Sequence, residues 1–157
     1  MKPTPQQHSF RFNHLGIGDI QLGKRPEQLS GMLPFDHFLG THHVFDGDLR
    51  CTIESRDTGI ELRHLIAATN EDGFINRIFL YPRLSNNHLS ERFSQLYGEP
   101  TDSKATVAGK LIGMHDCWIT EGDTEISLFN ATAGSVISFR FLYDTTAARD
   151  YMIYANL

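Results

Sequence analysis

The chain has 157 residues, a hydrophobic fraction of 40%, a charged fraction of 21% and a net charge of −5. This composition excludes disorder as a description of the whole chain, and the length suits one domain. There is no basic excess for a phosphate backbone, no apolar run near the ~20 residues of a membrane helix, and too few cysteines, at two, for a disulfide scaffold.

The opening MKPTPQQHSF has no apolar signal region. Residues 1–8 read as a polar tail and 9–157 as a single domain. A cytoplasmic protein with reduced, buried Cys51 and Cys117 is expected, and a removed leader would instead place it in the envelope. Phe10 and Phe12 alternate with polar neighbours, so Ser9 to Asn13 is expected as a strand. Ile20 and Leu22 can reach a core from the Gly-rich passage Gly16 to Gly23. Arg25 to Pro34 reads as a short helix: Pro26 fits its first position, Leu29, Met32 and Leu33 share a face, and Pro34 ends it.

Thr41 to Phe45 and Leu49 to Glu54 flank Asp46-Gly47, a hairpin signal. Gly59 to Ala68 and Phe74 to Tyr81 form the next strand pair around the turn Asn70-Glu71-Asp72-Gly73. Apolar residues at both parities of Phe74 to Tyr81 point to a central strand covered on both sides. His88 to Tyr97 is the clearest helix, with Asn87 as N-cap and a stripe of Leu89, Phe93, Leu96 and Tyr97. Gly98 suits the position after the helix, and Pro100 prevents continuation. Leu111 to Thr120, Glu125 to Phe129 and Val136 to Tyr143 read as a three-strand meander, with a turn at Asn130 to Gly134. A C-terminal helix is expected from Thr145. The fold class is therefore α+β, a mainly antiparallel sheet with a short N-terminal, a central amphipathic and a C-terminal helix.

Chemical motifs are sparse. Gly18 to Arg25 nearly matches a phosphate loop, but Arg25 lacks the hydroxyl that binds Mg²⁺ and no βαβ context surrounds it. The group His37, His42 and His43, with His115 and Cys117 further on, lacks metal-ligand spacing, and His42 and His43 would point to opposite faces of a strand. His115-Asp116-Cys117 contains the ingredients of a thiol nucleophile, yet strand neighbours cannot form a relay. Cys117 is expected in a core strand beside Trp118. Asn130-Ala131-Thr132 matches a glycosylation sequon and reads as a turn. No catalytic residue, cofactor or metal is expected.

The acidic residues Asp46, Asp48, Glu54 and Asp57 are dense in and after the first hairpin, and are the candidate partner-binding residues. Glu71, Asp72, Glu121, Asp123 and Glu125 add to the acidic character. Such a rim speeds association with a basic partner.

The passage Ile17 to Leu33, followed by Phe93-Ser94-Gln95-Leu96-Tyr97-Gly98-Glu99-Pro100 and a β-meander, resembles a layout in small bacterial immunity proteins of toxin–immunity pairs and in small envelope lipoproteins. The resemblance transfers no catalytic residue. Together with the acidic balance and the absence of a catalytic constellation it implies a non-enzymatic protein-binding domain that occludes a basic toxin domain; charge and hydropathy lead to the expectation of no nucleic-acid partner and no membrane insertion. The alternatives are an envelope scaffold or chaperone-like lipoprotein domain, and a small His/Cys enzyme or ligand-binding module.

Overall fold

Alternating apolar residues drive most of the described residues into strands. The structure, a computed structural model, describes residues 11–29, 32–34, 49–51, 62–82, 88–108, 111–131 and 134–144. Three two-residue strands, β1 (Phe12–Asn13), β2 (Gly16–Ile17) and β3 (Ile20–Gln21), make a small antiparallel sheet. Then come β4 (Met32–Pro34), β5 (Leu49–Cys51), β6 (Leu62–Thr69) and β7 (Ile75–Pro82). The helix α1 (Leu89–Tyr97) precedes β8 (Asp102–Ala108), β9 (Leu111–Ile119), β10 (Thr124–Ala131) and β11 (Gly134–Phe141).

The large sheet is antiparallel, in the order β4-β5-β6-β7-β11-β10-β9-β8. This order explains the helix. β11 returns beside β7, so the chain leaving β7 must cross three strand positions to reach β8, and α1 makes that crossing over one face.

Strand pairing sets the two faces. Leu65 lies opposite Leu80, Leu80 opposite Ile137, and Ile137 opposite Leu128; one step along run Ala67, Ile78, Phe139, Ile126 and Trp118. All are buried, and with Leu89 and Phe93 of α1 and Ile17, Ile20 and Leu22 of the small sheet they form the core. Phe93 is fully buried, with ring centroids 5.1 Å from Phe12, 5.8 Å from Tyr97 and 5.8 Å from Trp118. Side-chain bonds fix the cover in place. Ser90 Oγ donates to Asp116 Oδ2 (2.8 Å), Trp118 Nε1 to the Gly98 carbonyl (2.8 Å) and Tyr97 Oη to the Asn13 carbonyl (2.8 Å). Gly16 permits the close seat of the small sheet, because a Cβ there would collide with the Ile20 carbonyl and approach Ile78 Cδ1 to 2.8 Å. The opposite face of the sheet also buries Ile66, Phe79, Tyr81, Phe129 and Val136, so β7 is covered on both sides as its sequence requires.

Several expectations need correction. Arg25 to Pro34 is not a helix: a single 3-10 turn covers Pro26–Gln28, and Met32–Pro34 pairs with β5. One turn forms no apolar stripe, and pairing with β5 gives Met32 and Leu33 backbone partners that an isolated short helix would lack. The N-cap of α1 is His88, with no side-chain capping bond, and its Nδ1 lies 3.5 Å from Glu91 Oε2. Leu96 is exposed rather than part of the buried stripe. Gly98 is the C-cap of α1, with φ 84° and ψ −167°, a positive φ but not the left-handed helical conformation expected after the helix. Asn130 and Ala131 continue β10 instead of turning, and Asn130 Oδ1 accepts from Ser135 Oγ (2.6 Å). Asp102–Ala108 is a strand that sequence reading omitted. The tail 1–8, Thr41 to Gly47, Asn87 and the C-terminal helix from Thr145 lie outside the described residues. Among the described residues α1 is the one α-helix, and no helix is long and apolar enough to cross a membrane.

Candidate functional site

Antiparallel pairing brings four chain segments to one end of the large sheet: the β6–β7 turn, the β9–β10 turn, the start of β8 and the end of β11. Each turn is locally determined. Asn70 Oδ1 accepts from the Asp72 and Phe74 amides (3.1 and 2.9 Å), and Gly73 supplies the positive φ of 82°. In the second turn Thr120 Oγ1 accepts from the Gly122 amide (3.2 Å), and Asp123 adopts φ 57°. These segments expose Glu71, Asp72, Glu99, Asp102, Glu121 and Asp123. Lys24 and Arg25 also lie here, tied by the bond from the Ile75 amide to the Lys24 carbonyl (2.8 Å), and Arg77 and Arg140 are ion-paired close by.

Two concavities open at this end. One, of about 390 Å³, is lined by Gly23, Asn70, Phe74, Ile75, Asn76, Phe141, Tyr143 and Asp144. Phe141 and Tyr143 stack with centroids 5.0 Å apart, and the Arg25 guanidinium sits 4.4 Å above the Phe74 ring. Asn76 Nδ2 donates to Asp144 Oδ2 (3.2 Å), which also lies 3.7 Å from Arg77 Nε. The second, of about 550 Å³, is lined by His14, Tyr97, Trp118, Ile119, Thr120, Glu121 and Gly122. Burial pushes the Tyr97 phenol well above its usual range.

The sheet separates the three residues His115, Asp116 and Cys117 by face. Asp116 is buried on the helix side, where it accepts from Ser90 and from Ser103 Oγ. His115 and Cys117 lie on the opposite face, so Cys117 is not packed with Trp118 and is only half-buried. Burial raises the Cys117 thiol above its usual value, and its near neighbour is Ser127 Oγ at 3.7 Å. Burial also lowers His115, against the opposing pull of the Glu125 carboxylate. Its ring meets Phe129 edge-on. Glu125 is held by the Arg140 fork at 3.1 and 3.0 Å. A thiol raised by burial is held in its un-ionised, weakly nucleophilic form.

The partner-binding candidates Asp46, Asp48, Glu54 and Asp57 lie outside the described residues, as do His37, His42 and His43. Among the described residues no group of three or more His, Cys, Asp or Glu side chains could hold a metal. The phosphate-loop look-alike spans β3 and its flanking turns in an antiparallel sheet. Sequence reading missed Phe74, Asn76, Phe141, Tyr143 and Asp144 as a group. The available signal was Asn76-Arg77, a polar pair inside an otherwise apolar strand. Comparison of the chain with protein-family models, with curated proteins and with solved structures finds no match.

Proposed function

We propose that the chain is a non-enzymatic protein-binding domain of the immunity type, which occludes a basic partner such as a toxin domain. The carrying observation is the sheet end where separate connections present Glu71, Asp72, Glu99, Asp102, Glu121 and Asp123 beside two concavities. Exposed carboxylates held on short turns steer a basic surface, and the concavities accept its protruding side chains. The net charge of −5 acts in the same direction.

Two charge-reversed proteins test this. Glu71→Lys with Glu121→Lys alters the sheet end; Asp46→Lys with Asp48→Lys alters the hairpin surface named from sequence. The native protein is used to capture its partner at low salt, and association is followed by stopped flow at two ionic strengths. The sheet-end variant is expected to associate roughly tenfold more slowly at low salt, with a flatter salt dependence. A loss confined to Asp46→Lys with Asp48→Lys moves the interface to the hairpin. Unchanged rates for both variants, or capture of an acidic protein only, overturn the reading.

A further inference from the structure

The cavity of about 550 Å³ lies between the β1–β2 turn, the end of α1 and the β9–β10 turn. Trp118, 2% exposed, is its floor, and Tyr97, Ile119, His14 and the turn Thr120 to Gly122 are its walls. Ile119 is 50% exposed and supplies an apolar strip. Gly122 shapes the opposite side: a Cβ there would come within 2.9 Å of His14 Cδ2, so glycine lets the imidazole rest against the turn.

The side-chain protons of these walls are already committed inward. Tyr97 Oη donates to the Asn13 carbonyl, and Trp118 Nε1 to the Gly98 carbonyl. Thr124 Oγ1 spends its one proton on the His14 carbonyl, so Thr120 Oγ1 is the donor in the 2.7 Å contact between the two threonines. The Gly122 amide is bonded to Thr120 Oγ1, and the Thr120 amide to the Thr124 carbonyl. His14, when neutral, adds one donor and one acceptor and leaves the balance unchanged. The exposed carboxylate of Glu121 can only accept. Exposed Glu99 is held beside it, between Gly98, which receives the Trp118 indole, and Thr101, whose hydroxyl accepts from the Ile119 amide (3.0 Å). No Lys or Arg is among the described lining residues. A concavity with spent donors and a carboxylate at its rim disfavours anions and suits a ligand group that only donates. Guanidinium is such a group: it has five N–H donors, no acceptor, weak hydration and a planar body that tolerates aromatic and aliphatic walls.

We infer that this cavity seats an arginine side chain presented by a basic protein partner, its guanidinium paired with Glu121 beside the Tyr97 ring and its stem along Ile119. The inference rests on the protein-binding reading and adds the residue by which the partner is gripped. Arginine is also a favoured anchor at protein interfaces.

The probe is N-acetyl-arginine methylamide, set against its citrulline counterpart, which has nearly the same shape and no charge. The chain has one tryptophan, so the Trp118 indole N–H is a single NMR signal at the cavity floor. The arginine probe is expected to shift that signal and the amides of Thr120 and Gly122, and to bind roughly tenfold more tightly than the citrulline probe. Glu121→Gln, a change at an exposed turn position, is expected to erase the preference, and Glu71→Gln in the β6–β7 turn to leave it intact. Equal affinities for the two probes, shifts confined to other regions, or a preference that survives Glu121→Gln overturn the inference. A lysine probe that binds as tightly as the arginine probe overturns the selection of guanidinium. Free arginine binding more tightly than the blocked probe overturns the protein source in favour of the free amino acid. Partner association that slows in Glu71→Lys with Glu121→Lys, beside an arginine probe that shows no preference, overturns this inference and leaves the protein-binding reading standing.

Discussion

Removal of the Phe93 ring is the sharpest test of the packing between α1 and the sheet. Phe93 is fully buried and its ring touches those of Phe12, Tyr97 and Trp118, which come from β1, the helix itself and β9. Burying a phenylalanine side chain contributes about 1.5–3 kcal/mol. Each favourable ring pair adds roughly 0.5–1.5 kcal/mol beyond area. The partners sit on three different elements held by backbone pairing and by the Tyr97 and Trp118 hydrogen bonds, so they cannot collapse into the gap together. Phe93→Ala is therefore expected to cost about 3–5 kcal/mol. For a chain of this size that lowers the thermal midpoint by roughly 6–20 °C. Urea unfolding followed by far-UV circular dichroism gives the free energy, and the tryptophan fluorescence of Trp118 reports the same site. A loss below about 1 kcal/mol with an unchanged denaturant slope would refute the reasoning, because it would place α1 off the sheet.

Gly16→Ala is expected to cost more than Gly98→Ala: both carry the strain of a positive φ, but only Gly16 adds overpacking against Ile20 and Ile78, roughly 1–3 kcal/mol, whereas a Cβ at Gly98 meets nothing within 4 Å; urea midpoints of the two variants give the order. Cys117 is expected to react with iodoacetamide at neutral pH more slowly than an unfolded thiol and to recover full reactivity in denaturant, since burial raises its pKa and so suppresses the thiolate. His115 is lowered chiefly by burial, so the unfolded chain holds the proton more tightly. Its contribution is fully present above the unfolded histidine value of about 6.5 and is lost as pH falls through the lower folded value. His115→Leu, which cannot take the proton, is expected to flatten the fall in stability between neutral and mildly acidic pH, read from urea midpoints across that interval, and an identical fall in both proteins would exclude the effect.

The long meander strands were legible because their burial is written as alternation. Ile137 and Phe139 face the core while Val136 and Ser138 face the other way, and each row has a buried partner row. The helix was legible for the same reason, at Leu89 and Phe93. β8 was not. Among the described residues it is the last strand of the sheet and is largely exposed, so Asp102-Ser103-Lys104-Ala105-Thr106 carries no burial pattern and takes its conformation from pairing with β9. Met32–Pro34 misled because an i, i+3, i+4 spacing of apolar residues over so short a run also fits a strand adjoining a turn. The candidate site was the least legible part. Its acids come from turns far apart in the chain, and only strand order puts Glu71 at the same end as Glu121. The aromatic cavity likewise joins Gly23, Phe74 and Tyr143, whose meeting no local pattern encodes.

The seating of the N-terminal sheet has a consequence for how the protein is made. Asn13 receives its hydrogen bond from Tyr97, and the His14 carbonyl receives one from Thr124 Oγ1 at 2.5 Å, contacts that span 84 and 110 residues of sequence. Phe12 and Gly23 rest on Phe139 and Phe141. During synthesis residues 11–29 therefore meet β7 and α1 first, at Ile75, Ile78 and Phe93, and complete their seat only once β10 and β11 have emerged. Long-range closure of this kind is slow. A nascent chain waiting with bare apolar residues is a natural client for holding chaperones.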